Sequence, residues 1–260
     1  MRARADAAGI FLDIDGVLAA IRPRPEEAFV PEEVKRLLER LVRRYRLVAA
    51  VSGRSLADAC TMVDTPGVVV VGNHGMEMTG PGGNEDWSGP DDGLRVAAAA
   101  SALRADPRLA RGSLRLEQKG LSVSLHYRGA PDQEQSRRLA LEAARDTAAR
   151  YGLVLLPGRA VVDLRPPGPD KGMAVRRLVE REGLTAAVHV GDDRTDIDAF
   201  RALGELRDRG LITASVAVVS SEAPDELAAA ADFSIAFAEV PALLHHLLDG
   251  TVAASGSSSD

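Results

Sequence analysis

Short apolar runs alternate with longer amphipathic stretches over the first seventy residues. Gly9-Ile10-Phe11-Leu12 stops at Asp13, Leu47 to Val51 stops at Ser52, and Val68 to Val71 stops at Gly72. Each run is too short for a helix and apolar at every position, the pattern of a strand covered on both faces. Between the first two, Pro31 opens a helical stretch to about Arg44, with Leu37, Leu38, Leu41 and Val42 on one face and basic residues on the other. A second helix is expected from Ser55 to Val63. Strands and helices in alternation predict a doubly wound, parallel α/β sheet.

The pattern changes after Gly80. Gly80 to Gly93 is rich in Gly, Pro, Asn, Asp and Ser and reads as a loop or hinge. Beyond it the chain predicts a helix (Leu94 to Arg104), then two strands (Leu114 to Glu117 and Leu121 to Tyr127) with a turn at Lys119-Gly120. A long helix (Asp132 to Tyr151) and a second pair (Leu153 to Leu156 and Val161 to Leu164) follow. Helix, hairpin, helix, hairpin is an antiparallel α+β plan, and it reads as an insertion. Pro166-Pro167-Gly168-Pro169 leads back to a helix from Asp170 and to the buried strand Ala186 to Gly191, which stops at Asp192. A helix from Asp196 to Leu203, a strand Val216 to Val219, a helix Glu222 to Ala231, a strand Phe233 to Ile235 and a last helix to Leu248 complete the pattern. The expected division is a core from residues 1–88 and 168–250, an inserted domain at 89–167, and a small, polar, Ser-rich disordered tail at 251–260.

Composition narrows the function classes. Of 260 residues 45% are hydrophobic but only 3% aromatic, so the core is aliphatic and stacking platforms for bases are not expected. A net charge of −6 without a long basic face argues against nucleic acid. The single cysteine, Cys60, allows neither a disulfide nor a cysteine zinc cluster within the chain. No run approaches the ~18 apolar residues of a membrane helix. The expectation is a soluble, cytoplasmic protein with no membrane and no nucleic-acid partner. The pattern is silent on oligomeric state, and a monomer is the working expectation.

The chemistry concentrates where strands end. Ligands of an open parallel sheet bind outside the carboxyl ends of its strands, so Asp13, Ser52 and Asp192 should share one edge. Lys171, at a helix start, can reach the same place. Asp13 and Asp15 lie two apart on an extended segment and point the same way. Their mutual repulsion, increased by Asp192 and by Asp193 or Asp196, calls for a cation, and an all-oxygen set suits magnesium before calcium. Gly16 lets the backbone turn and approach a ligand. A carboxylate, a hydroxyl and an ammonium around such an ion suit phosphoryl transfer. Asp13 would attack phosphorus, Asp15 would serve as acid and then base, and Ser52 would hold phosphoryl oxygens.

Four segments carry a resemblance. Asp13-Ile-Asp-Gly-Val, Ser52-Gly-Arg, Lys171-Gly and Gly191-Asp-Asp-Arg-Thr-Asp196 resemble, in order and separation, the four motifs of the haloacid dehalogenase superfamily. The resemblance implies a Rossmann-like core with an α+β cap between the second and third motifs. It implies Asp13 as nucleophile, Asp15 as acid/base, Ser52 and Lys171 on phosphate, and magnesium on Asp13, the Asp15 carbonyl and Asp192, supported by Asp196.

A narrower resemblance, to trehalose-6-phosphate phosphatases, runs from about Ile10 to Leu248. It rests on Gly72-Asn-His-Gly75, the cap segment Glu117 to Arg128, and Val161 to Pro166 besides the motifs. It implies a small-molecule sugar phosphate as partner, met by Gly16, Gly53, Arg54, Asn73, His74, Glu117, Lys119, His126, Arg128 and Asp163. In that family, residues matching Glu117 and Lys119 contact the sugar. Two positions depart: Val17 stands where Thr is usual, and Asp163 where Glu is usual at a trehalose-binding position. A related phosphorylated disaccharide or a trehalose-like pseudo-disaccharide stays open as substrate. A phosphomutase or an inactive sugar-phosphate sensor on the same scaffold also stays open, although Asp15 and the other core motif residues are all present.

Overall fold

The computed structural model describes residues 2–249 except 23, 81–82, 159 and 222; the tail at 251–260 lies outside the described residues. The first half of the core alternates as the pattern predicts: β1 (Ala8–Leu12), α1 (Glu32–Arg44), β2 (Leu47–Val51), α2 (Leu56–Val63) and β3 (Val69–Gly72). After β4 (Glu77–Gly80) and β5 (Gly83–Asp86) come the helices α3 (Asp92–Arg104) and α4 (Pro107–Arg111), then β6 (Arg115–Gln118) and β7 (Val123–His126). The long helix α5 (Gln133–Tyr151) precedes β8 (Val154–Gly158) and β9 (Val161–Arg165). The chain then runs through α6 (Lys171–Arg181), β10 (Ala186–Gly191), α7 (Asp196–Asp208), β11 (Ile212–Val219), α8 (Asp225–Ala230), β12 (Phe233–Ala236) and α9 (Val240–Asp249).

Two sheets result. The larger has the order β12-β11-β10-β1-β2-β3-β4-β5, and the smaller the order β6-β7-β9-β8. From β12 through β3 every pairing is parallel, whereas the whole smaller sheet is antiparallel. Strand order reverses at β1, which lies between β2 and β10. Such a reversal opens a crevice beyond the strand ends, and it places Asp13, Ser52 and Asp192 side by side.

Both faces of the large sheet are buried, which explains the unbroken apolar runs. In β1, Ile10 and Leu12 pack with α1, α2 and α9 residues such as Leu38, Leu41 and Leu244, while Phe11 faces Val175, Leu178 and Leu203 of α6 and α7. In α1 the buried residues are Val34, Leu37, Leu38 and Leu41, a single helical stripe. The small sheet has its own core, in which Val123, Leu125 and Leu164 meet Val96, Leu103, Ala140 and Ala144 of α3 and α5.

Some elements differ from the sequence reading. The stretch from Gly80 is not all loop: β4 and β5 pair antiparallel at the sheet edge, Glu77 with Asp86 through Gly80 with Gly83. β5 is Gly-Asn-Glu-Asp and mostly exposed, so it lacks the apolar alternation that marks a strand. Helix α4 is one short turn capped by Asp106, whose carboxylate accepts from Arg108 N. β11 starts four residues before the expected Val216, because Ile212 to Ser215 mix polar and apolar residues. α7 extends to Asp208 rather than Leu203, with Leu206 buried in its last turn.

Candidate active site

A cavity of about 170 Å3 opens where the carboxyl edge of the large sheet meets the small one. The core supplies Asp13, Asp15, Ser52, Gly53, Arg54, Lys171 and Asp192 to its wall, and the small sheet supplies Glu117, Lys119, His126, Arg128 and Asp163. Residues as far apart in the chain as Asp13 and Thr195 thus line one site.

Asp13 follows β1 and is held there by its N–H donating to Val190 O at 2.9 Å. Its Oδ2 accepts from Lys171 Nζ at 2.7 Å and its Oδ1 from Ile14 N at 2.6 Å. Lys171 is fully enclosed and also donates to Asp196 Oδ1 at 2.9 Å. Burial alone would push the Lys171 ammonium down, but Asp13 and Asp196 outweigh it and hold it above its ordinary value. Burial holds the Asp13 carboxyl well above the usual range despite Lys171, and Asp196 and Asp192 add to that. Asp196 sits below the usual range: burial would raise it, and Lys171 and the His189 hydrogen bond overcome that.

Carboxylate oxygens of Asp13, Asp192 and Asp196 all lie within 4.8 Å of one another. Carboxylates so close form an acidic cluster that suits a hard divalent cation, with Asp13 and Asp192 as its candidate ligands. Gly16 makes the approach of Asp192 feasible. Its φ is +77°, and a Cβ there would collide with the Asp192 carboxylate. Asp196 stands apart from the other two because its oxygens are engaged on all sides. Oδ1 takes Lys171 and His189 Nε2 (2.8 Å), and Oδ2 takes the N–H groups of Asp192 and Asp193, both at 3.0 Å.

Asp15 makes a different pairing. Arg54 donates to it twice, Nε to Oδ2 at 2.7 Å and Nη2 to Oδ1 at 2.8 Å, and Nη2 also reaches Pro25 O at 3.0 Å. Ser52 is buried, and its Oγ accepts from Arg54 N at 3.2 Å.

On the small sheet, the side chains of Glu117 and His126 meet diagonally across β6 and β7, 2.6 Å apart. That hydrogen bond holds the Glu117 carboxyl down at about 2. Asp163 accepts from Ser124 Oγ and lies 3.7 Å from both Lys119 Nζ and His74 Nε2. Burial would raise the Asp163 carboxyl, but Lys119 and His74 bring it below its ordinary value.

Three expected site residues stand behind the cavity wall. Asp196 lies under Lys171. Asn73 joins the two sheets: its Nδ2 donates to Glu77 and to Lys119 O (3.3 Å), and its Oδ1 accepts from Ser122 Oγ at 3.0 Å. His74, with a left-handed φ of +58°, is buried, and neither ring nitrogen has a hydrogen-bond partner among the described residues. Burial pushes it down to about 3. Gly53 admits this ring, because a Cβ there would strike it. Gly16 abuts Asp192 and lines a neighbouring groove instead of the main cavity.

Other wall residues were not expected. Ile21, Arg22, Pro25 and Ala28 come from the long connection between β1 and α1, and Ala160, Val161 and Thr195 complete the lining. The one signal for the first group was an aperiodic segment placed directly after a catalytic-type strand end, where binding loops gather. His189, also missed, was legible as a lone polar residue inside an apolar strand.

A Rossmann-like core with these four motif segments at its switch point, and an α+β insertion facing them, defines a haloacid dehalogenase superfamily protein. Within that class the chain belongs to the trehalose-phosphatase family, whose sequence model matches residues 11–232. It is 34% identical over 204 residues to a trehalose-phosphate phosphatase of Mycobacterium avium, covering 75% of this chain and 51% of that one. It is also 37% identical over 208 residues to an uncharacterized glycosyl hydrolase of Mycobacterium tuberculosis, covering 75% of this chain but 15% of that one. The chain therefore spans about half the length, or less, of these curated relatives. The C-terminal domain of trehalose-6-phosphate phosphatase from C. albicans shares the fold, with a TM-score of 0.81, 22% identity and coverage of 96% of this chain and 94% of that one. Among the described residues no helix is long and apolar enough to cross a membrane.

Proposed function

We propose that this chain hydrolyses a phosphorylated disaccharide, with trehalose 6-phosphate as the leading substrate, to the free sugar and inorganic phosphate. The observation that carries the reading is the placement of Asp13, with Lys171 2.7 Å away, across one cavity from Glu117, Lys119 and Asp163 of the small sheet. One wall is built for a phosphoryl group and the other for hydroxyls. The small sheet with its helices, residues 89–167, acts as the cap, and 1–88 with 168–250 as the catalytic core.

Asp13 attacks phosphorus through a carboxylate oxygen, and the bond from phosphorus to the sugar oxygen breaks. Asp15 gives its proton to that oxygen. The aspartyl phosphate is then hydrolysed by water, whose proton passes to Asp15, and Asp13 is regenerated with release of phosphate. Lys171 neutralises charge between Asp13 and the incoming phosphate, while Ser52 holds a phosphoryl oxygen. Magnesium would be held by Asp13, Asp192 and the Asp15 carbonyl, with Asp196 outside its coordination shell because four donors already occupy that carboxylate. When bound, magnesium offsets the negative charge of the phosphate and the carboxylates.

Asp163 supports a second choice of sugar on the same chemistry. A shorter acid than the family's usual Glu, drawn to Ser124, suits a trehalose-like pseudo-disaccharide phosphate whose groups reach further toward the cap. Phosphate release from trehalose 6-phosphate, glucose 6-phosphate, sucrose 6-phosphate, a pseudo-disaccharide phosphate and p-nitrophenyl phosphate, each with magnesium, tests the reading. Preference for trehalose 6-phosphate, loss of turnover in Asp13→Asn and silence in chelator are expected. Full activity of Asp13→Asn or in chelator would remove the mechanism, and preference for another sugar would redirect the cap.

A further inference from the structure

β10 runs through the middle of the large sheet, and all six of its residues are buried. Five of them are Ala, Val or Gly; the sixth is His189, which has no exposed surface. Its Nε2 is 2.8 Å from Asp196 Oδ1, while its Nδ1 finds no hydrogen-bond partner among the described residues. A carboxylate only accepts, so Nε2 carries the proton. Nδ1 is left as a bare acceptor, and the imidazole packs T-shaped with the Phe200 ring at a centroid distance of 5.7 Å. A buried acceptor without a partner is destabilising, because its lost hydration is not replaced. Folding alone therefore gains little from a histidine where a Phe, Leu or Met would fill the space.

What the histidine does supply is a fixed donor to Asp196. Gly191 permits the close packing, since a Cβ there would collide with the Asp196 side chain. The backbone amides of Asp192 and Asp193 pin Oδ2, so the position of Oδ1 depends on His189 and Lys171. Lys171 in turn divides its ammonium between Asp196 Oδ1 at 2.9 Å and Asp13 Oδ2 at 2.7 Å. The hydrogen bond from His189 draws on the charge of Oδ1. Without it, Asp196 would attract Lys171 more strongly, and the ammonium would lean away from Asp13.

We propose that His189 is a positioning residue for the reaction, acting through Asp196 to hold Lys171 on the Asp13 carboxylate. The inference rests on the phosphatase reading, with Asp13 as the attacking group. His189 touches neither sugar nor phosphate, so its removal lowers kcat and leaves KM in place.

Two shape-matched variants separate this role from simple packing. His189→Gln keeps an N–H donor at about the reach of Nε2, whereas His189→Met has similar bulk and no donor. Each is assayed beside the parent on trehalose 6-phosphate and p-nitrophenyl phosphate with magnesium, and each is melted. His189→Met is expected to melt at or above the parent while losing about tenfold or more in kcat on both substrates, as when a hydrogen-bond partner that orients a site carboxylate is removed. KM should change less than twofold, and His189→Gln should recover most of the loss. Equal kcat in the Met and Gln variants, or a Met variant as active as the parent, would overturn the proposal. So would a rise in KM at constant kcat. A parent inactive on every phosphate ester would instead overturn the phosphatase reading, and the inference with it.

Discussion

Arg54 grips Asp15 at both carboxylate oxygens, at 2.7 and 2.8 Å, and ties the pair to the Pro25 carbonyl at 3.0 Å. Two parallel bonds to a planar guanidinium fix the orientation of a carboxylate in a way that a lysine ammonium does not. In the proposed reaction Asp15 must face the bond from phosphorus to the sugar oxygen. Arg54→Ala is therefore expected to lower kcat/KM by about a hundredfold, and Arg54→Lys to restore little of it, because the fork is lost while the charge remains. Steady-state kinetics on trehalose 6-phosphate check this. Lysine matching the parent would mean that charge alone matters at this position.

Gly16 shows how backbone conformation limits the site. Alanine there meets two obstacles at once, a φ of +77° and the Asp192 carboxylate in the space of its Cβ. The strain of a left-handed residue costs about 1–2 kcal/mol, and the collision moves a carboxylate of the acidic cluster. Gly16→Ala should melt a few degrees lower and bind magnesium more weakly. Isothermal titration with the metal, beside a melting curve, measures both. Unchanged metal affinity would place Asp192 outside the ion site.

The core was legible because a parallel sheet buried on both faces writes itself as apolar runs, and three of those runs ended on a polar residue that lines the cavity. Asp13, Ser52 and Asp192 could be grouped from that alone. The pairings of Arg54 with Asp15, 39 residues apart, and of Asn73 with Ser122, 49 apart, could not. They are side-chain geometry across loops and carry no periodic signal. β5 escaped for the opposite reason: as a polar edge strand it makes a ladder with β4 and buries almost nothing. His74 was placed among substrate contacts on resemblance alone; that its ring packs into the space left by Gly53 carried no sequence signal.

His74 gives a pH dependence. Its ring is buried, lacks hydrogen-bond partners and is held by burial at about 3, against 6.5 for an ordinary histidine. Between these values the unfolded chain binds a proton that the folded chain does not. Stability is thus complete above pH 6.5 and falls as pH drops from 6.5 toward 3. Asp163, 3.7 Å away, opposes the shift without cancelling it. His74→Asn, which tolerates the left-handed backbone, should flatten that part of the stability profile. Denaturant unfolding at pH 7 and pH 5 checks it; equal slopes in parent and variant would assign the acid sensitivity to other groups.

Asp163 is the cap-sheet residue on which the choice of sugar is expected to turn in the proposed reaction. It pairs in register with Ser124 across β9 and β7 and accepts from that hydroxyl at Oδ1, while Lys119 lies 3.7 Å from the same oxygen and His74 3.7 Å from Oδ2. Asp163→Asn keeps the shape and the Ser124 contact but removes the charge. A sugar hydroxyl that donates to this carboxylate loses a charge-assisted hydrogen bond, worth about 1.5–3 kcal/mol, or roughly ten- to a hundredfold in kcat/KM. p-Nitrophenyl phosphate has no hydroxyl to reach the cap, so its turnover should change less than about threefold. The ratio of kcat/KM for trehalose 6-phosphate and the aryl ester, in parent and variant, reads the difference directly. A fall in that ratio places Asp163 on the sugar. An equal loss on both substrates would mean that Asp163 holds Lys119 and the cap sheet in shape, and that the disaccharide is selected elsewhere, with Glu117 and its partner His126 the next residues to vary.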